Sequence, residues 1–316
     1  MTGSSVTRIV YMGTPEFAVP PLNALAARRD FDICLVVTRP DRPKGRGRKP
    51  APPPVKTCAQ DLGLPVFQPE KLNTEESFER LADLNPDYFV VAAYGQILSR
   101  RILDIPRKYP VNIHASLLPK YRGAAPIQAA ILHMEKETGI TTMVMAKELD
   151  AGDLLLSART PIHPNETARE LHDRLSVMGA TLILETLDQL RKNRLVPVPQ
   201  DHGSATYAPM LKKEDGRIDW DLSSQAVAAH INAMTPWPGA FTHLSGRRVK
   251  IFRAAAGSSR ATAPPGTVCA LDSEGIHVAA GSGTVIILEL MGSSGKHLSA
   301  DAFLRGHALD LSDRFE

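Results

Sequence analysis

Short apolar runs alternate with amphipathic segments along the first half of the chain. Buried strands are predicted where a run of four to eight mostly apolar residues ends at polar or turn-forming residues, at 8–13, 31–38, 88–94 and 111–115. Apolar residues at helical spacing predict helices at 16–28, 126–134 and 166–191. Two further strands, 141–146 and 153–162, are expected to pair as edge strands. Such alternation of strands and helices predicts an α/β fold with an open, parallel-rich sheet covered on both faces.

The pattern changes after residue 193. A polar, proline-containing stretch at 194–207 is typical of a linker. Beyond it, a helix is predicted at 223–234, and short strands with turn signals are predicted at 248–252, 266–271, 275–280 and 284–290. We therefore predict a larger, catalytic domain at 1–193, a linker at 194–207 and a smaller β-barrel at 208–316.

Composition narrows the class of protein. The chain has 316 residues, of which 43% are hydrophobic and 22% are charged, as in ordinary globular proteins. No apolar run reaches the roughly 18 residues of a membrane span, and no signal peptide is expected. The three cysteines form neither a C-x-x-C pair nor a Cys/His cluster, so we expect no disulfide framework and no metal site. A reducing, cytoplasmic location is expected.

Positive charge is concentrated in one segment. Residues 39–56 contain seven basic residues and one acid, a net +6 in a chain of net charge +3, so the rest is slightly acidic. Six prolines and two glycines between 39 and 54 predict an irregular loop. Such a charge run is usually a solvated surface, but flexible cations beside a ligand crevice also suit a phosphate backbone. The cations from 42 to 49 are Arg42, Lys44, Arg46, Arg48 and Lys49.

Two polar residues interrupt the apolar strand at 111–115. Asn112 and His114 are two positions apart, so strand geometry places both side chains on one face, near the strand's C-terminal end. Ligand crevices of open α/β sheets lie off these ends. A carboxamide beside an imidazole can stabilise an oxyanion and move a proton. The alternative is a polar strand end that only binds a neighbouring loop.

Residues 148–153, ELDAGD, place several acids around a glycine. Asp and Gly are ordinary turn formers, and a simple turn is one interpretation. The other is that Asp150 turns towards His114 and fixes the tautomer of the imidazole. Residues 13–17, GTPEF, form a strand-to-helix turn that lacks the G-x-G-x-x-G pattern, and no P-loop occurs in the sequence.

Taken together, these segments closely resemble the methionyl-tRNA formyltransferase family. The resemblance runs from about residue 8 to about residue 305 and rests on NIHASLLPKYRGAAP at 112–126, ELDAGD at 148–153, GTPEF at 13–17, YFVVAAYG at 88–95, the basic segment at 39–50 and PWP at 236–238. The N-x-H, S-L-L-P and R-G-A-A-P core with a distal D-x-G-D is specific to formyltransferases that use 10-formyltetrahydrofolate. The P-D-R-P-x-G-R-G loop is specific to the branch that acts on tRNA.

The resemblance implies a Rossmann-like formyltransferase domain followed by a barrel similar to an oligonucleotide-binding fold. It implies that Asn112, His114 and Asp150 are the catalytic residues. It further implies a folate site along Ser116, Leu117, Leu118 and Pro119, and a tRNA contact at the basic loop, where Arg46 matches an arginine that meets the acceptor end. The implied reaction moves the formyl group of 10-formyltetrahydrofolate to the amino group of methionyl-initiator tRNA, without a metal. A cytoplasmic monomer, with no membrane association, is expected.

The sequence departs from the family in two places. Lys120 and Tyr121 stand where the family commonly has Arg-Trp. The barrel is often basic in the family, whereas residues 205–316 hold equal numbers of basic and acidic residues, so a tRNA contact there must rest on a local cluster, Arg247, Arg248, Lys250 and Arg253. Three other functions stay open from the residues alone: a formyltransferase acting on a small molecule, a formyl-folate hydrolase, and a non-enzymatic RNA-binding module.

Overall fold

The structure is a computed structural model, and it describes residues 6–44, 49–292, 295–307 and 309–316. Contacts within the chain divide it into two compact units. Unit 1 comprises Met1–Gly123, Gly139–Arg159 and Asp173–Tyr207. Unit 2 comprises Ala124–Thr138, Thr160–His172 and Ala208–Glu316.

Strands and helices alternate in the first half of the chain, and strands predominate after it. The strands are β1 (Thr7–Gly13), β2 (Phe31–Val37), β3 (Arg42–Lys44), β4 (Lys49–Ala51), β5 (Val66–Phe67), β6 (Tyr88–Ala92), β7 (Tyr109–His114), β8 (Arg122–Gly123), β9 (Glu137–Val144), β10 (Leu154–Pro161), β11 (Tyr207–Ala208), β12 (Ala240–Leu244), β13 (Arg247–Ala256), β14 (Val268–Leu271), β15 (Ile276–Ala279), β16 (Thr284–Met291) and β17 (His297–Ser299). The helices are α1 (Val19–Ala26), α2 (Pro54–Asp61), α3 (Glu75–Asp83), α4 (Arg100–Leu103), α5 (Pro126–Leu132), α6 (Ala168–Arg191), α7 (Ser224–Ala233) and α8 (Ala300–Leu304).

The large sheet has the order β10-β9-β7-β6-β1-β2-β5. The pairs from β7 to β5 are parallel, and β9 runs antiparallel to β7. All five residues of β6 and all but one of β1 are buried, which explains why these strands read as continuous apolar runs. The predicted parallel-rich α/β fold is confirmed.

The basic segment contains more regular structure than expected. β3 and β4 form a two-stranded antiparallel ribbon in which Pro43 lies opposite Pro50. Neither strand joins a larger sheet in the described part of the chain, so the missing proline N–H groups interrupt no ladder. The expectation of a wholly irregular loop from 39 to 54 was therefore wrong. Arg46 and Arg48 lie outside the described residues.

Unit 2 carries the antiparallel sheet β12-β13-β16-β15-β14, with β17 added to β16. The C-terminal residues join its two edges. Leu244 of β12 bridges to Phe315, and Thr267, just before β14, bridges to Arg314. The amides of Phe315 and Val268 reinforce this second edge through bonds of 2.8 Å to Gly266 and Asp313 carbonyls. These bonds close the sheet into a barrel, as the sequence predicts.

Apolar side chains from β1, β2 and β6 form part of the core of unit 1, and β13, β15 and β16 contribute to a separate core in unit 2. Among the described residues, no helix is both long and apolar enough to cross a membrane.

Candidate active site

β7 carries the two polar residues singled out from the sequence. Asn112 is paired with Val91 of β6 and Met143 of β9, while His114 lies opposite Thr141. Asn112 is 9% exposed and His114 is 6% exposed. Both side chains project from the same face of this interior strand because residues alternate along it. They are therefore held in a largely desolvated position at the C-terminal end of the strand.

The imidazole of His114 is fixed on one side by the main chain. Its Nε2 lies 2.9 Å from the carbonyl oxygen of Tyr121. A carbonyl only accepts hydrogen bonds, so Nε2 carries the hydrogen. The Nδ1 atom faces the Oδ2 atom of Asp150 at 3.7 Å, beyond hydrogen-bond distance. The main chain, and not the carboxylate, holds the hydrogen on Nε2.

Asp150 approaches His114 from the loop between β9 and β10. Its backbone is left-handed, with φ of 50°, and its carboxylate Oδ2 accepts a hydrogen bond of 2.8 Å from the Gly123 amide. Gly152 makes this tight loop possible, since a Cβ at that position would overlap the carbonyl oxygen of Val144. The loop therefore places a nearly buried carboxylate, 11% exposed, beside the imidazole.

The segment predicted to line a folate site, Ser116 to Pro119, is held by internal hydrogen bonds. The Ser116 hydroxyl donates to the Lys120 carbonyl at 2.6 Å. Thr141 donates through Oγ1 to the Ser116 carbonyl at 2.7 Å and accepts from the Leu118 amide at 3.2 Å. Ser116 and Leu118 are buried, and Leu117 and Pro119 are partly exposed. The segment directly follows β7, so it lies at the same sheet end as His114.

The base of the basic segment is anchored to unit 1. Asp41 accepts from Gln68 and Lys56, each at 2.8 Å, and these hydrogen bonds lower the pKa of its carboxyl below the usual value. The Arg39 guanidinium donates to the Gly95 carbonyl at 2.5 Å. Arg42 on β3 is exposed. Lys44 of β3 is paired with Lys49 of β4 across the ribbon.

The turn at residues 13–17 joins β1 to a short 3-10 helix, Glu16–Ala18. Thr14 Oγ1 donates to the Tyr94 carbonyl at 2.8 Å, which ties this turn to the segment after β6. Burial raises the pKa of the Tyr94 phenol to about 12, so that group stays protonated at neutral pH. The turn is an internal structural connection.

Two buried residues beside the Asp150 loop were missed by the sequence reasoning. Arg122 is 3% exposed and Gln200 is 5% exposed. Arg122 lies inside the R-G-A-A-P motif, so the motif itself could have indicated it as a site residue. Gln200 lies in the stretch predicted as a linker, and its Nε2 donates to the carbonyls of Asp150 and Gly152 at 2.9 and 2.7 Å.

Of the basic cluster suggested in the barrel, Arg253 is already paired. Its guanidinium contacts Glu170 at 2.6 Å and Glu289 at 3.2 Å. Arg247 and Arg248 are exposed, and Lys250 is partly exposed. Arg248 lies over the ring of Phe241.

Unit 2 contains a cluster of possible metal ligands and a surface cavity among the described residues. Within the described ranges, Asp272, Glu274 and His277 bring one possible metal-ligand atom each within 4.8 Å of one another. A 3.0 Å bond between His277 and Asp272, together with turn bonds to the same carboxylate, accounts for this arrangement without an ion. A surface cavity of about 450 Å³ also lies in unit 2, lined by residues that include Arg217, Trp220 and Arg314, and none of the predicted site residues lines it.

Known protein families match the chain over almost its whole length. The formyl transferase family model matches residues 7–187, and the model for the formyl transferase C-terminal domain matches residues 210–308. Curated relatives named methionyl-tRNA formyltransferase include those of Citrifermentans bemidjiense, 49% identical, of Moorella thermoacetica, 46% identical, and of Heliobacterium modesticaldum, 45% identical. The alignments cover 96–98% of this chain and 95–99% of those proteins.

Solved structures share the fold at low sequence identity. WlaRD, described as a sugar 3N-formyl transferase crystallised with dTDP and 5-N-formyl-THF, gives a TM-score of 0.67 at 18% identity, covering 89% of this chain and 97% of that one. HypX from Aquifex aeolicus in complex with tetrahydrofolic acid gives 0.64 at 18% identity, covering 98% of this chain and 51% of that one. The two domain matches and the close relatives together show that this chain belongs to the methionyl-tRNA formyltransferase family.

Proposed function

We propose that the protein transfers the formyl group of 10-formyltetrahydrofolate to the free amino group of methionyl-initiator tRNA, producing N-formylmethionyl-tRNA for translation initiation. The observation that carries this proposal is the nearly buried His114–Asp150 pair beside Asn112, at the C-terminal end of β7. Full-length similarity at 45–49% identity to proteins named for this reaction supports the same conclusion.

In the proposed reaction, the methionyl amine attacks the formyl carbon and forms a C–N bond, which gives a tetrahedral intermediate; its collapse then breaks the C–N10 bond of the folate. The tetrahedral intermediate carries negative charge on the former carbonyl oxygen. The Asn112 amide is suited to donate a hydrogen bond to that oxyanion. One proton leaves the attacking nitrogen and one arrives at N10. The reaction therefore consumes no acid or base overall, but it needs a group that carries a proton from one nitrogen to the other.

His114 is placed to pass that proton through Nδ1, because Nε2 is occupied by the Tyr121 carbonyl. When Nδ1 is protonated, the facing carboxylate of Asp150 stabilises the imidazolium, and the protonated ring donates to the oxyanion or to N10 through water. Asn112, His114 and Asp150 therefore have distinct proposed roles as oxyanion donor, proton carrier and electrostatic partner.

The cosubstrate sites follow from position. The Ser116–Pro119 segment is proposed to line the folate site, with Leu117 and Pro119 offering partly exposed apolar surface. The Ser116 hydroxyl shapes the segment, because it is fully buried and already donates to the main chain. No metal is part of the proposed chemistry.

The tRNA contact is proposed for Arg42, Lys44, Arg46, Arg48 and Lys49. The ribbon β3–β4 follows β2 in the chain. The C-terminal ends of β2 and β7 lie at the same end of the parallel sheet. We propose the division into a catalytic domain at 1–193, a linker at 194–207 and a tRNA-binding barrel at 208–316; the family matches at 7–187 and 210–308 support it. We also propose a cytoplasmic monomer, testable by cell fractionation and by sedimentation.

The proposal is tested by incubating the purified chain with 10-formyltetrahydrofolate and methionyl-initiator tRNA. We expect acid-stable formylmethionine on the tRNA, and none when free methionine replaces the charged tRNA. Release of formate without transfer would instead favour a formyl-folate hydrolase. Transfer to a small amine at the rate seen with tRNA would favour the small-molecule alternative.

A further inference from the structure

A closed ring of buried polar contacts surrounds the Asp150 loop. Arg122 donates through Nη2 and Nε to the Gln200 Oε1 atom, at 2.7 and 3.2 Å. The Gln200 Nε2 atom donates to the carbonyls of Asp150 and Gly152. Gly123, the neighbour of Arg122, donates its amide to the Asp150 carboxylate. The ring thus begins and ends at Asp150 and passes through residues up to 78 positions apart in the sequence.

We propose that Gln200, oriented by Arg122, is a positioning residue that keeps the Asp150 carboxylate beside His114. This inference rests on the proposed function, in which Asp150 stabilises the protonated imidazole. In the described part of the chain, the hydrogen bonds of Gln200 go to Arg122, Met143 and the main chain of the Asp150 loop, so Gln200 acts through that loop.

The loop needs such support because of its conformation. A non-glycine residue with positive φ, such as Asp150, occupies a disfavoured region that persists only when its surroundings determine it. The two Gln200 bonds bracket Ala151 and so restrain the backbone on both sides of it. Rotation of the loop would break both bonds and would move the carboxylate away from its position 3.7 Å from Nδ1.

Arg122 makes the orientation of the Gln200 amide unambiguous. A guanidinium only donates, so the atom of Gln200 that faces it must be the oxygen, and the NH₂ group must face the two carbonyls. Arg122 also donates to His202 Nδ1 at 3.2 Å. A side-chain amide free to flip would place its oxygen against two carbonyl oxygens, which the buried charge of Arg122 prevents.

The test compares Gln200→Met with Gln200→Glu. Methionine keeps the length and removes every hydrogen bond. Glutamate keeps an acceptor for Arg122, but it replaces the donor group with a carboxylate oxygen and adds a negative charge facing the Asp150 and Gly152 carbonyls. Both should lower kcat by about 10–10²-fold, the loss typical of small displacements of a catalytic group. KM for the folate and for the charged tRNA should change little, since Gln200 is only 5% exposed and its amide is already bonded to Arg122 and to two main-chain carbonyls. Raised KM values at unchanged kcat would overturn the proposal.

A double-mutant cycle separates positioning from general destabilisation. When Asp150 is already Asn, Gln200→Met should cost little further in kcat, because the charge it positions is gone. Independent, multiplying losses would overturn the proposal. The matched control is Asn232→Leu in unit 2, where another buried amide bonds the Ala254 main chain at 2.8 and 3.1 Å. That variant should lower Tm while keeping kcat at temperatures where it is folded.

Failure of the positioning role of Gln200 can be distinguished from failure of the proposed function. If the unmodified protein does not formylate methionyl-tRNA, the function is refuted, and hydrogen exchange still tests the ring. The Gly123 amide, bonded to Asp150, should exchange faster in Gln200→Met than in the parent protein. Unchanged protection of that amide would show that Gln200 does not position Asp150.

Discussion

Replacing Asp150 with Asn removes one negative charge and nearly preserves the size of the side chain. The amide oxygen of Asn can still accept the hydrogen bond from the Gly123 amide, and the loop should keep its shape. What is lost is the attraction between the carboxylate and the imidazolium that forms at His114 when it carries a proton. The substitution therefore tests electrostatics and leaves packing almost unchanged.

The size of the effect follows from the 3.7 Å between Oδ2 and Nδ1. Two unit charges at that separation attract by about 4 kcal/mol at an effective dielectric constant of about 20, appropriate for a pair in a protein. Both side chains are largely buried, with exposures of 7% and 11%, so screening by water reduces this only in part. Since about 1.4 kcal/mol corresponds to tenfold in rate, the rate of transfer should fall by roughly 10²–10³-fold.

Single-turnover formylation at saturating folate and charged tRNA measures this step directly. The control is Glu148→Gln, which removes a charge from an exposed side chain in the same loop and should retain the parent rate. Circular dichroism and Tm would verify that both variants are folded. A rate for Asp150→Asn equal to that of the parent would show that Asp150 is only a turn residue.

The other predictions address the remaining parts of the proposal. Asn112→Ala should lower kcat by about 10²–10³-fold, as for loss of one oxyanion donor, and a folded variant with parental kcat would remove Asn112 from the mechanism. Arg46→Ala should weaken use of methionyl-tRNA and flatten its logarithmic salt dependence by about one unit per lost phosphate contact, with folate binding unchanged; identical kinetics across a salt series would assign the loop to solvated charge. Burial opposes ionisation of Glu170, but hydrogen bonds from Arg253 and Thr167 prevail and lower its pKa to about 2, so it stabilises the fold above its unfolded pKa of about 4.5 and loses this contribution as pH falls towards 2. Because the pair is partly exposed, Glu170→Gln should cost on the order of 1 kcal/mol in urea melts at pH 7 and progressively less below pH 4.5; a cost independent of pH would refute the linkage.

The parts of the site that follow one another in sequence were predictable. Asn112 and His114 share a face because a strand has a two-residue period. The strand predicted at 111–115 is β7, Tyr109–His114, which begins two residues earlier and ends one residue earlier than predicted. Apolar runs located β1, β2 and β6 for the same local reason. The close approach of Asp150 to His114 was one of the two interpretations of ELDAGD that the residue types left open, the other being a simple turn.

Contacts made by the main chain or by distant residues could not be predicted in this way. The bond between His114 and the Tyr121 carbonyl depends on a left-handed residue, with φ of 61°, that no sequence rule indicates. Gln200 lies between a proline and an aspartate in a segment whose composition is typical of a linker. Its role is indicated only by its hydrogen-bond partners, which are distant in the sequence.

The departure from the family at Lys120 and Tyr121 falls at two residues whose main-chain carbonyls accept hydrogen bonds in the site. The carbonyl of Lys120 accepts from the Ser116 hydroxyl, and the carbonyl of Tyr121 accepts from His114 Nε2. A carbonyl is supplied by any residue that can adopt the local backbone conformation, so Lys-Tyr in place of Arg-Trp leaves both hydrogen bonds available. Asn112, His114 and Asp150, which are proposed to act through their side chains, match the family pattern. The three proposed catalytic residues are thus unchanged from that pattern, and the two departures leave available the carbonyl oxygens that accept from Ser116 and His114.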